Sequence, residues 1–185
     1  AVSAAQRTGA ALLVGTTALG AEGVALLRDE SRARAVVLAP NTSMGIPVLA
    51  RAAADVARAL GAAFEISIVE AHHSKKKDAP SGTALMLGEA AARGRGVDLA
   101  AVAQRGRDGI TGARRIGDIG FAVVRGGGIF GEHQVLFAAE DEVLSLSHAA
   151  LDRGLFARGA LEAARWVKGR PPGLYDMQDV LGLKG

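Results

Sequence analysis

The sequence predicts an α/β fold: part of a doubly wound parallel sheet, together with an α+β region whose sheet is mostly antiparallel. Short, continuous apolar runs alternate with helical segments over residues 11–60, which is typical of buried parallel strands joined by helices. Strands of alternating polarity follow in the middle of the chain. A long helix over residues 151–167 then ends before Pro171, Pro172 and Gly173.

The first part of the chain alternates helices and strands. In chain order we expect the end of a helix (1–7), a strand (11–15), a helix (21–32), a strand (34–39) and a helix (43–60). Gly9 occupies the C-cap position of the first helix. Pro40 opens a turn, and Ser43 at its end is a suitable N-cap for the long helix that follows.

The second part of the chain changes in style. We expect a half-buried strand (64–68), a polar loop (71–80), a helix (83–92), a loop (94–117), three strands (119–125, 131–138 and 142–148) and helices over 151–167 and 177–181. Because short turns join the three successive strands, they predict an antiparallel meander.

Composition excludes several classes of protein. Of 185 residues, 49% are hydrophobic and 22% charged, so the chain is not disordered. The absence of cysteine excludes disulfides, thiolate metal sites and a cysteine nucleophile, and it suits a cytoplasmic protein. No apolar run is long enough to span a membrane. A net charge of +3 with only 4% aromatic residues argues against a nucleic-acid partner and weakly favours an anionic small molecule.

The densest cluster of reactive side chains lies between Glu70 and Thr83, after a predicted strand and before a predicted helix. Two histidines and three lysines precede the helix N-terminus at Ser81 and Gly82. Backbone N–H groups at such a terminus bind carboxylates or phosphates. A bound anion raises the pKa of a nearby histidine, which then donates a proton near neutral pH. The segment therefore predicts an anion pocket with a general acid.

Simpler interpretations exist for each part of this cluster. Consecutive lysines are typical of a solvated loop, and Ser81 is a common helix cap. Metal binding by His72 and His73 is disfavoured, because neighbours on an extended chain point to opposite faces and no further ligand stands at metal spacing. No metal is expected. His133 and His148, in predicted strands, are assigned a structural or assembly role rather than catalysis.

The same segment resembles a known family. Glu70 to Thr83 matches the pattern E-x-H-H-x-x-K-x-D-x-P-S-G-T of the dihydrodipicolinate reductase (4-hydroxy-tetrahydrodipicolinate reductase) family at every fixed position. The resemblance extends over essentially the whole chain. It includes the segments 14–17, 39–45, 105–112, 119–120, 131–133, 159–160 and 174–177, and Arg125, His148, Arg153 and Phe156.

This resemblance implies an enzyme that reduces 4-hydroxy-tetrahydrodipicolinate, or dihydrodipicolinate, to tetrahydrodipicolinate with NADPH or NADH in the diaminopimelate route to lysine. It implies that His72 is the general acid and that Lys76 is its catalytic partner. The residues implied to bind the cyclic dicarboxylate are His73, Lys76, Ser81, Gly82, Thr83 and Arg153. Those implied to bind the cofactor are Gly15, Thr16, Thr17, Pro40, Asn41, Thr42 and Ser43.

The resemblance also implies a division of the chain. Residues 1–43 and 154–185 are expected to form a partial Rossmann-like dinucleotide-binding domain, and residues 44–153 a domain for substrate binding and assembly into a homotetramer. The G-x-x-G-x-x-G turn that seats a pyrophosphate is absent, so we expect the chain to be truncated at its N-terminus. The residue that would select NADH or NADPH is absent with it.

Two alternative functions remain open at this stage. One is a truncated module that binds the dicarboxylate without reducing it. The other is a related NAD(P)-dependent oxidoreductase that acts on another amino-acid-derived substrate. Thr42 and Gly128 depart from the family's common residues, although neither position belongs to the implied proton-transfer pair.

Overall fold

The chain folds into two compact units. The structure is a computed structural model and describes residues 1–17 and 19–184. One unit comprises residues 1–47 with the segment from Arg153 onward, and the other comprises residues 48–152. The boundary between Pro47 and Val48 lies inside a helix. No helix in the described part of the chain is long and apolar enough to cross a membrane.

The first unit contains a three-stranded parallel sheet. Its elements, numbered in chain order for the whole molecule, are α1 (Val2–Thr8), β1 (Leu12–Val14), α2 (Gly20–Glu30), β2 (Ala35–Leu38), the start of α3 (Gly45–Leu60), α6 (Gly154–Val167), β8 (Gly173–Tyr175) and α7 (Met177–Val180). The strand order is β1-β2-β8. Strand β8 is not predicted by the sequence, because it has only three residues and directly follows two prolines.

Both faces of this sheet are covered. Val36 packs on one side with Leu12 and Leu27, which brings α2 onto that face. Val37 packs on the other side with Ala163 of α6 and Met177 of α7. A sheet that is buried on both faces explains why β2 is a continuous apolar run.

The second unit is built around a five-stranded sheet. Its elements are the rest of α3, a 3₁₀ turn (Gly61–Ala63), β3 (Glu65–His72), α4 (Gly82–Arg95), α5 (Leu99–Val102), β4 (Ala103–Gln104), β5 (Ile119–Arg125), β6 (Glu132–Ala138) and β7 (Val143–Ala149). The strand order is β4-β5-β3-β6-β7. The short elements α5 and β4 lie in a segment that was predicted to be a loop.

The sheet of the second unit is mixed. β3 pairs antiparallel with β6, and β6 pairs antiparallel with β7. β5 pairs parallel with β3, and β4 parallel with β5. Antiparallel pairing dominates, as predicted, because β4 adds only two residues. The predicted three-strand meander is wrong, however, because β3 lies between β5 and β6 and only β6 and β7 form a hairpin.

One face of this sheet, which we call the inner face, packs against α4. Ile66 and Ile68 of β3 are fully buried there, and Phe121 of β5 is nearly so. Helix α4 approaches closely because it carries glycine at the contact: a Cβ at Gly88 would lie 2.6 Å from the ring of Phe121. A Cβ at Gly94 would collide with the backbone of α3. These close contacts leave little space between α4 and the inner face of the sheet.

The opposite face of the sheet, the outer face, is open. Alternation along the strands places Val69, Val124, Leu136 and Val143 on it. Val124 is 49% exposed and Val143 62% exposed. Strand β3 thus separates a packed face from an exposed face that carries apolar side chains.

Candidate active site

Strand β3 carries two polar side chains on its inner face. Its burial alternates along the strand, so Glu70 and His72 follow Ile66 and Ile68 into the interior. Glu70 is 1% exposed and His72 9% exposed. Buried polar groups of this kind require partners, and these come from the neighbouring strands and from α4.

Four hydrogen bonds hold the Glu70 carboxylate. Arg125, at the end of β5, donates from both terminal nitrogens of its guanidinium, one to each carboxylate oxygen, at 2.8 Å each. The backbone N–H of Ser81 donates to Oε1 at 2.8 Å. Nδ1 of His72 lies 2.5 Å from Oε2. Burial would raise the pKa of Glu70, but the hydrogen bonds from Arg125, His72 and Ser81 outweigh it and lower the pKa to about 2.

The ionised carboxylate fixes the state of His72. Because Glu70 only accepts hydrogen bonds at neutral pH, Nδ1 of His72 carries a proton and Nε2 is the atom whose protonation changes. Burial lowers the pKa of His72, and the hydrogen bond and charge of Glu70 oppose that effect. Without a bound anion, therefore, the balance favours the neutral ring.

A glycine leaves room beside Nε2 of His72. Gly131 precedes β6 with φ at 149°, and a Cβ there would lie 3.1 Å from Nε2. Its carbonyl accepts a hydrogen bond from the backbone N–H of Ala150 at 2.9 Å, which fixes this segment to the end of β7. Any larger residue would therefore crowd the titrating atom.

A second histidine adjoins the first. His133 of β6 is 5% exposed, and its ring meets that of His72 edge to face with centroids 5.1 Å apart. Its Nε2 lies 3.1 Å from the hydroxyl of Ser81, which also caps α4 by accepting from the N–H of Ala84. Burial lowers the pKa of His133 to about 4, so its ring is neutral at neutral pH. His133 therefore belongs to this cluster, beyond the structural or assembly role that the sequence suggested.

The loop that joins β3 to α4 (residues 73–81), which we call the lysine loop, begins directly after His72. Lys76 is largely covered and pairs with Asp78 at 2.8 Å, whereas Lys75 and Lys77 are exposed. The backbone N–H of Gly126 donates to the carbonyl of His72, which holds the start of the loop against the turn after β5. Of the three lysines, therefore, Lys75 and Lys77 fit the interpretation as solvated cations, and Lys76 does not.

The triple-glycine segment, Gly126 to Gly128, is part of this turn. It connects β5 to β6 and does not precede a helix, so it lacks the setting of a phosphate-binding loop. The connection is not a hairpin, however, since β3 lies between the two strands.

Comparison with known proteins now identifies the family. A family model described as "Dihydrodipicolinate reductase, C-terminus" matches residues 45–181. The chain belongs to the dihydrodipicolinate reductase family. The 4-hydroxy-tetrahydrodipicolinate reductase of Caulobacter vibrioides is 58% identical over 182 residues, which are 98% of this chain and 71% of that protein. The enzyme of the same name from Roseobacter denitrificans is 56% identical over 181 residues, which are 98% of this chain and 66% of that protein.

A solved structure shares the fold. The dipicolinate-bound dihydrodipicolinate reductase from Paenisporosarcina sp. TG-14 aligns with a TM-score of 0.67 at 24% identity, over 96% of this chain and 67% of that one. The chain thus spans about two thirds of the length of these family members, and the α/β fold class predicted from the sequence is confirmed.

The structure brings together most of the residues predicted to bind substrate. Of these, His73 and Lys76 lie in the loop that follows β3, and Ser81, Gly82 and Thr83 form the N-terminus of α4. His72, predicted to be the general acid, is the last residue of β3. Arg153 is placed in the other unit, where it precedes α6 and is exposed. Its role in the family site stays a prediction.

The predicted cofactor residues lie in the first unit. Gly15, Thr16 and Thr17 follow β1, and the segment from Pro40 to Ser43 follows β2. These two strands are parallel neighbours, so both loops emerge side by side at the carboxyl edge of the sheet, where α/β sheets bind ligands. Gly15, Thr16 and Thr17 are exposed, and the role of both loops in holding a cofactor stays a prediction.

Glu70 and Arg125 were not among the predicted site residues, although both belong to segments that resemble the family. One signal was available for Glu70: it stands two residues before His72 on an alternating strand, so both side chains share a face. No local pattern identifies Arg125 as their partner, because 55 residues separate it from Glu70.

Proposed function

We propose that the chain provides the substrate site of an NAD(P)H-dependent 4-hydroxy-tetrahydrodipicolinate reductase, which forms tetrahydrodipicolinate in the diaminopimelate route to lysine. The observation that carries this proposal is the buried Glu70–His72 pair beside Lys76, at the N-terminus of α4. Relatives that bear this enzyme's name support it.

The substrate class follows from the charges around the site. The substrate is a cyclic dicarboxylate, and this loop offers lysine, histidine and helix N-terminal N–H groups for its carboxylates. Lys76 would exchange its exposed partner Asp78 for a substrate carboxylate. The proposed binding residues remain His73, Lys76, Ser81, Gly82, Thr83 and Arg153, with Arg153 placed there on family resemblance alone.

His72 is the proposed proton donor, and Nε2 is the atom that donates. A bound dianion raises the pKa of this ring against the lowering effect of burial, so the imidazolium forms when substrate is present. Reduction of a conjugated imine builds negative charge on the ring of the substrate. Lys76 and the donors at the start of α4 therefore stabilise the transition state more than the ground state.

The cofactor is NADPH or NADH. When bound, it supplies the reducing hydride for the reaction. The residues proposed to hold it are those predicted from the sequence: Gly15, Thr16 and Thr17 after β1, and Pro40, Asn41, Thr42 and Ser43 after β2. The hydroxyl of Thr42 donates to the carbonyl of Phe156 at 2.8 Å, so this side chain positions the second loop.

The outer face of the second unit supports a proposal about assembly. Val69, Val124, Leu136 and Val143 form an exposed, partly apolar face of a sheet, and such faces commonly bind a second copy. We infer that this face builds a homotetramer and that the enzyme works in the cytoplasm of a bacterium. Sedimentation of the protein before and after Val124→Glu tests the first inference: the variant should dissociate, and an unchanged tetramer would contradict it.

The function is tested with the protein expressed from its complete gene. Freshly generated dihydrodipicolinate should cause loss of NAD(P)H absorbance, and other cyclic imino acids should not. Tight binding of pyridine-2,6-dicarboxylate without any turnover would support the binding module instead. Turnover of another imino acid at equal efficiency would support the related oxidoreductase.

A further inference from the structure

The role of the ion pair behind His72 is not explained by substrate binding. Glu70 is almost completely buried, and its carboxylate contacts His72, Arg125 and Ser81. Burying an ion pair is a poor way to gain stability, since desolvation offsets most of the attraction. A function in positioning explains its presence better.

From this geometry we propose that Glu70, clamped by Arg125, is a positioning residue that holds the His72 ring with Nδ1 bound and Nε2 presented for proton transfer. This inference rests on the proposed function, because it assigns the proton donation to Nε2. It adds a Glu–His–Arg arrangement to the site, in which neither Glu70 nor Arg125 touches the substrate.

The clamp restricts the carboxylate in three directions. The two bonds from Arg125 form a planar fork that fixes both carboxylate oxygens. The N–H of Ser81 ties Oε1 to the start of α4. Arg125 is itself held by the carbonyl of Asp78 at 2.8 Å. Rotation of the carboxylate away from His72 would therefore break several of these hydrogen bonds.

The two partners act on His72 in opposite directions. The negative charge of Glu70 favours the imidazolium, and the positive charge of Arg125 disfavours it. Each therefore sets how readily the ring is protonated, in addition to where it points. The charged and titratable groups that face His72 from all the surrounding elements are Glu70 on β3, Arg125 on β5, Lys76 in the loop, His133 on β6 and, behind it, His148 on β7.

The opposite effects of Glu70 and Arg125 on the pKa of His72 can be measured, and a purely structural role of the ion pair does not predict them. The protein from the complete gene is labelled at histidine, and the pKa of His72 is measured by NMR in three forms: parent, Glu70→Gln and Arg125→Gln. With four histidines in the chain, His72→Gln assigns the signal. Glu70→Gln should lower the pKa of His72, and Arg125→Gln should raise it. Shifts of the same sign, or no shifts, would overturn the proposal.

Activity provides the second readout. In Glu70→Gln, kcat at neutral pH should fall by roughly 100-fold, the low end of a general acid's contribution, with KM for the dicarboxylate nearly unchanged. The alkaline limb of the kcat profile, where the His72 imidazolium loses its proton, should move to lower pH. A loss of activity that only follows the loss of folded protein, with an unmoved pH profile, would contradict positioning.

A measurement on the parent protein covers the case in which these variants do not fold. The ¹⁵N spectrum of neutral His72 should show its proton on Nδ1, because Glu70 accepts from that atom. A proton on Nε2 would refute the arrangement. Since this spectrum and the titration need no turnover, they separate failure of the clamp from failure of the proposed reductase activity.

Discussion

The two units of the molecule present their proposed ligand sites in different ways. The second unit places charged side chains in its interior, with Glu70 only 1% exposed. The first unit offers an exposed loop from Gly15 to Thr17 at a sheet edge and holds its neighbour, the loop from Pro40 to Ser43, through a hydroxyl and a close backbone contact. The proposed site in the second unit therefore relies on charged side chains, and the proposed site in the first unit relies on the shape of its backbone.

The contrast explains which changes each unit tolerates. A buried charge that loses its partner leaves an uncompensated charge behind, so the second unit is sensitive to isosteric replacements. The loops of the first unit depend on the volume of small residues, so they are sensitive to added atoms rather than to altered charge. Substitutions in the two units test that distinction.

Replacement of the proton donor should have the greatest effect. In His72→Gln, kcat should fall by about 10²- to 10⁴-fold, because general acid catalysis contributes that much, while KM changes little. Steady-state kinetics on the protein from the complete gene measure both constants. His148→Gln on β7 is the matched control, and it should retain most of the parent's kcat. An unchanged kcat in His72→Gln would exclude the acid role.

An added methyl group beside the donor should come next. Gly131→Ala places a Cβ 3.1 Å from Nε2 of His72 at a φ that favours glycine, so we expect kcat to fall by roughly 10-fold or more. Gly128→Ala is the control, because a Cβ there meets nothing within 4 Å. Equal kcat values in the two variants would show that the space beside Nε2 is not used.

The lysine loop separates one lysine from its neighbours. Lys76→Ala should weaken binding of pyridine-2,6-dicarboxylate by about 10-fold, since it removes a charge-assisted contact. Lys77→Ala, at an exposed neighbour, should bind nearly as the parent does. Isothermal titration calorimetry compares them, and identical affinities would mean that the loop acts only through its total charge.

The first unit should respond to volume. A Cβ at Gly159 of α6 would collide with the backbone carbonyl of Thr42, so Gly159→Ala should displace the loop from Pro40 to Ser43. We expect a loss of about 1–3 kcal/mol in stability and a raised KM for NAD(P)H, with little change in dicarboxylate affinity. The neighbouring exposed position provides the control, Arg158→Ala. If Gly159→Ala raised only the KM for the dicarboxylate, the proposed division of cofactor and substrate binding between the two units would be contradicted.

Stability should fall moderately in acid. His133 has a folded-state pKa of about 4, below the ordinary value of 6.5, so the unfolded chain binds a proton first. Its contribution is full above pH 6.5 and is lost as the pH falls towards 4, by at most about 3 kcal/mol. Urea unfolding at a series of pH values measures this. His133→Phe should flatten the curve between pH 6.5 and 4.5, and a parent curve that is already flat there would contradict the prediction.

Glu70 adds a second loss at lower pH. Its pKa is about 2 in the folded state and 4.5 in its ordinary state, so its contribution is present above pH 4.5 and declines below it. The two groups therefore act in successive pH ranges, and the histidine variant should leave the lower range in place.

Local patterns predicted the site better than the sheet around it. The cap at Ser81 and the difference between one lysine and its neighbours follow from residues that are close in sequence or from the resemblance to a family. The burial of His72 was not predicted, because residues 71–80 were expected to form a loop, whereas β3 continues to His72. The pairing of β5 with β3 does not, because the short turn at Gly126 favoured a hairpin and strand order depends on long-range packing. For the same reason Arg125 was not linked to Glu70.

The weak elements were the other failure. β8 and β4 have three and two residues, which are too few to show the alternation of polar and apolar residues that is typical of a strand. Both strands form because a neighbouring strand offers them backbone hydrogen bonds. The first unit's loops were assigned through resemblance, since glycine and threonine carry little chemistry of their own. Reactive side chains can be predicted from the sequence, whereas a binding site formed by the backbone cannot.

The alternation of β3 also protects the accuracy of folding. A slip of one residue in its pairing would turn Glu70 and His72 out and bring Val69 and Ala71 in. After such a shift, the guanidinium of Arg125 would lose its carboxylate partner, and the backbone N–H of Ser81 would lose its acceptor. The buried Glu70–His72 pair therefore disfavours a misaligned β3, because a shift in register would leave charged and polar groups without partners at the position of the proposed proton donor.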